Sequence, residues 1–183
     1  MAIDETRTFK PIRIALLTLS DTRTAENDTS GDILAERLTT KGHTLAARMI
    51  LREDVNALVA QLCAWVDDPS IDCVISTGGT GLTGRDVTPE ALEQVLALRE
   101  GKLIPGFGEV FRYLSLSTIG TSTVQSRAMA IMAKGPAGGT YLFALPGSNG
   151  AVKDGWDGIL HEQLDSRNRP CNFVELMPRL KEA

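Results

Sequence analysis

The 183-residue chain is poor in the side chains that most often carry catalysis. It has two histidines, His43 and His161, and three cysteines, Cys63, Cys73 and Cys171. The cysteines are odd in number and widely spaced with no CxxC, which argues against a disulfide framework and a zinc site and favours a reducing, cytoplasmic setting. With no local partner for either histidine, a His-dependent triad is not expected. Positive charge is also short: 19 Lys and Arg face 23 Asp and Glu, for a net charge of -4. Without a broad basic field, nucleic acid is not an expected partner, and any anion site must be built locally. Long apolar runs are missing as well. The first one, residues 12–19, is too short to span a bilayer and follows no signal-peptide pattern, so no membrane association is expected. No repeat, heptad run or low-complexity segment points to a solenoid or coiled coil.

What remains is an alternation of strand and helix patterns. Residues 12–19, 43–51 and 71–76 read as strands, the first and last as buried parallel ones. Residues 31–41 and 54–66 carry helical periodicity, with Gly42 as a terminator. Thr88-Pro89-Glu90 opens a helix to about Leu98, with Thr88 as N-cap and Pro89 at N1. Residues 105–114 are a further helix, and 128–134 and 140–145 form an antiparallel pair across a Gly-rich turn. Ser148 starts a last long helix reaching Leu164, and the chain beyond Arg167 reads as short and irregular. Trp65, Trp156, Phe107 and Phe111 read as core or interface rather than stacking platforms. The expected fold is α/β: a three-layer sandwich with a mostly parallel sheet, an antiparallel edge and helices on both faces. The expected organisation is a flexible segment 1–10, one domain over 11–175 and a tail over 176–183.

In such sheets ligands bind beyond the carboxyl ends of the strands, and three strands end in polar, small-residue turns. The central one, Thr77-Gly78-Gly79-Thr80-Gly81 followed by Arg85-Asp86, packs four glycines into residues 78–84. Backbone amides there can approach a phosphate, and the following helix adds a favourable dipole. Arg85 and Asp86 stand where a P-loop would have Lys and Ser or Thr, so this is not a Walker A motif. Asp86 makes sense beside a phosphate as a Mg²⁺ ligand, or else as a helix cap. The first loop carries Ser20, Arg23, Asp28, Ser30 and Gly31, suited to an anion or to ordinary capping. The third is Pro146-Gly147-Ser148, again a helix start. Ser126-Arg127 offers a guanidinium to a phosphate or is a surface arginine. Glu53 and Asp54 precede a helix, where first-turn acids are routine. Glycine-rich turns alone would suit a generic nucleotide-binding regulator equally well.

Together, Gly78-Gly79-Thr80-Gly81 with Arg85-Asp86-Val87-Thr88-Pro89-Glu90-Ala91, the Ser20-to-Arg23 and Asp28-to-Gly31 elements, Pro105-Gly106-Phe107-Gly108-Glu109, Ser126-Arg127 and Pro146-Gly147-Ser148 resemble the MoaB/Mog family of molybdenum cofactor biosynthesis, over about residues 10–175. The resemblance implies a molybdopterin-binding fold and adenylyl transfer from MgATP to the terminal phosphate of molybdopterin, with release of pyrophosphate. It implies that Gly78 to Gly81 and the Ser148 helix start cradle phosphates. Asp86 would bind metal, Arg85 or Arg127 would offset charge, and the loop from Asp28 to Gly31 would contact the pterin side. It also implies a homotrimer or homohexamer, with apolar surface around residues 107–116. One departure stands out. The family's second functional aspartate follows a proline, whereas Leu51-Arg52-Glu53-Asp54 has none and places Glu53, or by a one-residue shift Asp54, at that position. That departure motivates a second reading, a non-catalytic molybdopterin carrier.

Overall fold

The first strand, β1 (Arg13–Leu19), alternates its side chains between two apolar clusters, and this sets the layering. Ile14 and Leu16 point into one cluster, Ala15, Leu17 and Leu19 into the other. A strand buried on both faces must be central and covered by helices above and below. The computed structural model describes residues 3–180. The sheet that β1 centres adds β2 (Thr44–Leu51), β3 (Cys73–Thr77), β4 (Lys102–Leu103), β5 (Met129–Gly135) and β6 (Gly138–Leu145), in the order β2-β1-β3-β6-β5-β4. Strands β2, β1, β3 and β6 run parallel, and β5 and β4 add an antiparallel edge. This is the expected α/β sandwich.

Helices α1 (Thr29–Lys41), α4 (Pro105–Ile119) and α5 (Asn149–Gly155), with the turn that follows α5, cover one face, burying Leu34, Leu38, Phe107, Phe111, Val152 and Trp156. Helices α2 (Val55–Asp67) and α3 (Thr88–Leu98) cover the other with Leu58, Leu62, Trp65, Leu92 and Val95. Both tryptophans, Phe107 and Phe111 are thus core residues. Gly42 ends α1 in the left-handed conformation, φ 100°, and returns its amide to Leu38 and Thr39, as its position suggests.

Several local readings need correction. Thr88 is not the N-cap of α3: that residue is Val87, and the Thr88 hydroxyl donates instead to the carbonyl of Gly78 at 2.8 Å. Helix α4 continues to Ile119 and runs into a 3₁₀ segment, Gly120–Gln125, because its last turns present Ser115 and Thr118 to a cleft rather than an apolar stripe to the core. The two-residue β4 is exposed and lacks any periodic signal. After α5 the helix passes through a π turn, Trp156–Leu160, before a last turn at His161–Gln163. The segment beyond Arg167 contains a one-turn helix, Phe173–Leu176, whose Val174 is buried and whose Phe173 packs against Tyr141 and Phe143. The N-terminal residues lie against this segment. Ile3 bridges Asn168, the Lys10 amide donates to Ser166 Oγ at 2.9 Å, and Arg7 pairs with Glu175.

Candidate functional site

Strand order reverses beside β1, which sends the chain outward to β2 and then back across to β3. The loops leaving the carboxyl ends of β1, β3 and β6 meet there around a cleft of about 530 Å³, the place where such sheets bind ligands. Gly78 is the meeting point. Its φ of 107° suits glycine alone, its amide donates to the Leu145 carbonyl at 3.0 Å, and a Cβ on it would stand 2.3 Å from the Leu19 carbonyl oxygen. Gly147 packs directly on it, since a Cβ there would lie 3.2 Å from the Gly78 Cα. The Thr77 hydroxyl joins the same two turns by donating to the Pro146 carbonyl at 3.0 Å.

The β3 loop is braced from behind by Arg127. Its Nε donates to the Gly81 carbonyl and its Nη2 to the Asp86 carbonyl, both at 2.7 Å, while Nη1 pairs with Glu90. The Arg127 amide donates to Thr80 O at 3.1 Å. Within that loop the Asp86 carboxylate accepts from the Thr83 amide at 2.9 Å and the Thr83 hydroxyl at 2.7 Å, and it does not cap α3. Burial would raise its pKa, but the Thr83 and Gly81 donors and the Arg127 charge outweigh this and hold it below the usual carboxylate range. Gly81 leaves room for it, because a Cβ there would come within 2.7 Å of Asp86 Oδ2.

Glu53 reaches the same cleft from the start of α2, and its carboxyl is raised above the ordinary glutamate value by burial and by the charge of Asp86. Asp54 instead caps α2, accepting the Ala57 amide at 2.7 Å. Of the two acids, Glu53 is the one on the cleft. Arg85, mostly exposed, spans from Glu53, 3.2 Å from its Nε, to Asp21. No group of three or more His, Cys, Asp or Glu side chains suited to a metal is assembled among the described residues. Glu53 and Asp86 offer two hard oxygen donors on one wall, a set that suits Mg²⁺ when substrate phosphates and water complete the shell.

In the β1 loop the fully buried Asp28 caps α1 and is a structural keystone. It accepts from Gly31 N at 3.1 Å, Thr18 Oγ1 at 2.7 Å and Arg48 Nη2 at 2.9 Å. Burial raises its pKa, yet the donors led by Arg48 and Thr18 hold the carboxyl below its usual value. Gly31 is needed for this packing, because a Cβ there would fall 2.1 Å from Asp28 Oδ2. Arg23 links the first loop to the third, bonding Asp28 and Ser30 on one side and the Gly147 carbonyl at 3.0 Å on the other. Ser148 caps α5, accepting the Ala151 amide at 3.2 Å.

Ser20, Ser30, Glu53, Thr77, Gly78, Gly79, Thr80, Gly81, Asp86, Ser126, Pro146, Gly147 and Ser148 all line the cleft. Asp28, Gly31, Arg85 and Arg127 lie behind it or at its rim. A second wall, from α4 and α5, was missed in the sequence: Phe111, Ser115, Thr118, Ile119, Gln125 and Asp154. The spacing of Phe111, Ser115 and Thr118 on one helical face was its only signal.

Residues 15–166 match the family model described as "Probable molybdopterin binding domain". A 174-residue stretch covering 95% of the chain is 45% identical to molybdenum cofactor biosynthesis protein B of Escherichia coli (strain K12), spanning 96% of that protein. The chain belongs to the MoaB/Mog family. Solved MoaB/Mog structures share its fold. A crystal structure of molybdenum cofactor biosynthesis protein B superposes with a TM-score of 0.81 at 34% identity, covering 97% of this chain and 100% of that one. The tungsten cofactor synthesizing protein MoaB from Pyrococcus furiosus superposes with a TM-score of 0.75 at 29% identity, over 94% and 99% of the two chains. As a MoaB/Mog member the chain is a protein of molybdenum cofactor biosynthesis from a molybdopterin-binding family. None of its described helices is long and apolar enough to cross a membrane.

Proposed function

We propose that this cleft binds molybdopterin and transfers AMP to its terminal phosphate from MgATP. The observation that carries this reading is the convergence of three strand-end loops on one cleft that also holds Glu53 and Asp86. The terminal phosphate oxygen of molybdopterin attacks the α-phosphorus of ATP, a new P–O bond forms, and the bond to the departing pyrophosphate breaks. The substrate brings its own nucleophile, so the protein needs only to position and neutralise the phosphates. This fits the histidines: His43 is buried against Phe9 and Trp156, and His161 contacts Lys41.

Glu53 and Asp86 would hold Mg²⁺, which supplies charge neutralisation for the phosphates when bound. The amides of the Gly78-to-Gly81 turn and of the helix start after Ser148 hold phosphate oxygens. Thr80 and Ser126 offer hydroxyls beside them, and Ser20 and Ser30 line the opposite lip. Arg127 acts through the loop it braces. Arg85, paired with Glu53 and Asp21, would offset incoming phosphate charge.

The test is pyrophosphate and adenylylated-pterin formation with MgATP and molybdopterin, beside Asp86→Asn. Turnover should fall about a hundredfold or more in the variant; undiminished turnover would remove Asp86 from the mechanism. A carrier that binds molybdopterin without turnover is the second reading, favoured by the Arg85 contact that engages Glu53. Stoichiometric pyrophosphate release per pterin would end it. The protein is further expected to work as a homotrimer or homohexamer. Phe107 and Phe111 are buried, but Val110, Tyr113 and Leu116 expose an apolar stripe on α4. Light scattering should give three or six times the 19.7 kDa chain mass, and a monomer at working concentration would contradict this.

A further inference from the structure

The wall of the cleft formed by α4 and the end of α5 carries a carboxylate that the adenylyl-transfer chemistry leaves unused. Asp154 lies near the end of α5, six residues beyond the Ser148 cap, and lines the cleft together with Phe111, Ser115, Thr118, Ile119 and Gln125. Two hydroxyls flank it on one side. Ser115 Oγ, nearly fully buried, stands 3.5 Å from Asp154 Oδ2, and Thr118 Oγ1 stands 3.3 Å from the same oxygen and 3.0 Å from its nearer acceptor, the Ser115 carbonyl. Among the described residues, no protein donor reaches Oδ1 and no cation pairs with the side chain.

A negative group sharing a cleft with a phosphate cradle is unfavourable unless the ligand part beside it presents N–H donors. The phosphate-bearing end of an anionic ligand is repelled from this wall, so the wall selects for the other end. A ring face has a surface to lie on here, since Ile119 is exposed on this wall and Gly150, beside Asp154, has open space around it.

The geometry points to Asp154 as the residue that reads the 2-amino-4-oxo-pyrimidine edge of the pterin ring. That edge carries two neighbouring donors, the exocyclic 2-amino group and N3–H, which match the acceptor pair of a carboxylate. Adenine presents one donor and one acceptor on its equivalent edge and matches a carboxylate only half as well. This inference rests on the reading of the cleft as a molybdopterin site, and it assigns the pterin to the part of the cleft between α4 and the far end of α5, and the phosphates to the glycine-rich turn and the start of α5.

A specificity exchange tests it. Neopterin monophosphate and its lumazine counterpart, in which a 2-oxo group replaces the 2-amino group, are titrated against the full chain by ring fluorescence. The wild type should prefer the 2-amino compound by about 10- to 100-fold, because the lumazine oxygen would face the carboxylate without a proton between them. Asp154→Asn places an amide donor there and should bring the ratio to one or below by tightening lumazine binding. The ratio is taken within each variant, so a partly misfolded fraction cancels. Asp154→Glu, which keeps the charge, should retain the preference for the 2-amino compound. Both compounds binding wild type equally, or a ratio that Asp154→Asn leaves unchanged, would overturn the role of Asp154 while leaving the pterin site standing. Binding of neither compound by the wild type would overturn the pterin reading and this inference with it.

Discussion

Replacing Arg127 by alanine should loosen the phosphate loop while leaving the sheet intact. The guanidinium holds two backbone carbonyls at 2.7 Å, those of Gly81 and Asp86, and its ion pair with Glu90 fastens it to α3. A charged hydrogen bond contributes about 1.5–3 kcal/mol when its loss leaves the partner unsatisfied. The side chain is 29% exposed, so water replaces part of what is lost, and about 2 kcal/mol in total is a fair expectation. The loss is confined to residues 79–90, so it appears as a lower cost of local opening and not as a matching fall in global stability. Amide hydrogen exchange should speed up by about 30-fold across that loop, with β1 and β3 unchanged and Tm lowered by a few degrees at most. Phosphate-ligand affinity should fall with it. Arg127→Lys should not restore either, because an ammonium cannot span both carbonyls as a planar fork does. Unchanged exchange in residues 79–90 of Arg127→Ala would refute the assignment of Arg127 as the brace.

Three further outcomes follow from other groups in the same molecule. Burial, reinforced by Lys41 and His161 and only partly opposed by Asp165, lowers the His43 pKa from about 6.5 to about 4. A depressed folded-state pKa gives stability that is present above the unfolded value and lost as pH falls, so urea denaturation should show a decline on the order of 3 kcal/mol between pH 6.5 and pH 4. His43→Gln should remove most of that slope; an identical slope in the variant would show that the histidine is not its source. Below about pH 4 a second decline should follow as Asp28, Asp72 and Asp165, all held below their ordinary values, take up protons. Gly78→Ala combines an unfavourable φ with a Cβ 2.3 Å from a main-chain oxygen, and should cost about 2 kcal/mol or more and abolish phosphate binding. Calorimetry giving a wild-type Tm for this variant would contradict the close approach described at Gly78.

The layering was legible in the sequence because strands buried on both faces leave continuous apolar runs, and residues 12–19 and 71–76 have them. Gly42 and Ser148 were legible as caps for equally local reasons. What escaped was structure held by distant partners. Thr88 looks like an N-cap, but its hydroxyl is drawn to the Gly78 carbonyl, ten residues earlier in the chain. Asp86 reads as a ligand or a cap, and only the fold shows it closing its own loop through Thr83. Arg127 offered no local sign that it turns inward instead of toward a phosphate. The α4 wall was lost where polar residues interrupt the apolar stripe, which is where the helix begins to serve the cleft. The last segment looked irregular because Phe173 and Val174 bury themselves without a repeating pattern.

Gly78 is in contact with the chain leaving β1, the chain leaving β6 and the first turn of α3 at once. Each of those loops is therefore gauged against the other two, backbone against backbone. Changing the length of any one of them would push the other two out of place, whereas exchanging side chains on the cleft surface would not. A designer wishing to give this scaffold a new ligand would have to transplant the three turns as a set, or keep all three and rewrite only the α4–α5 wall.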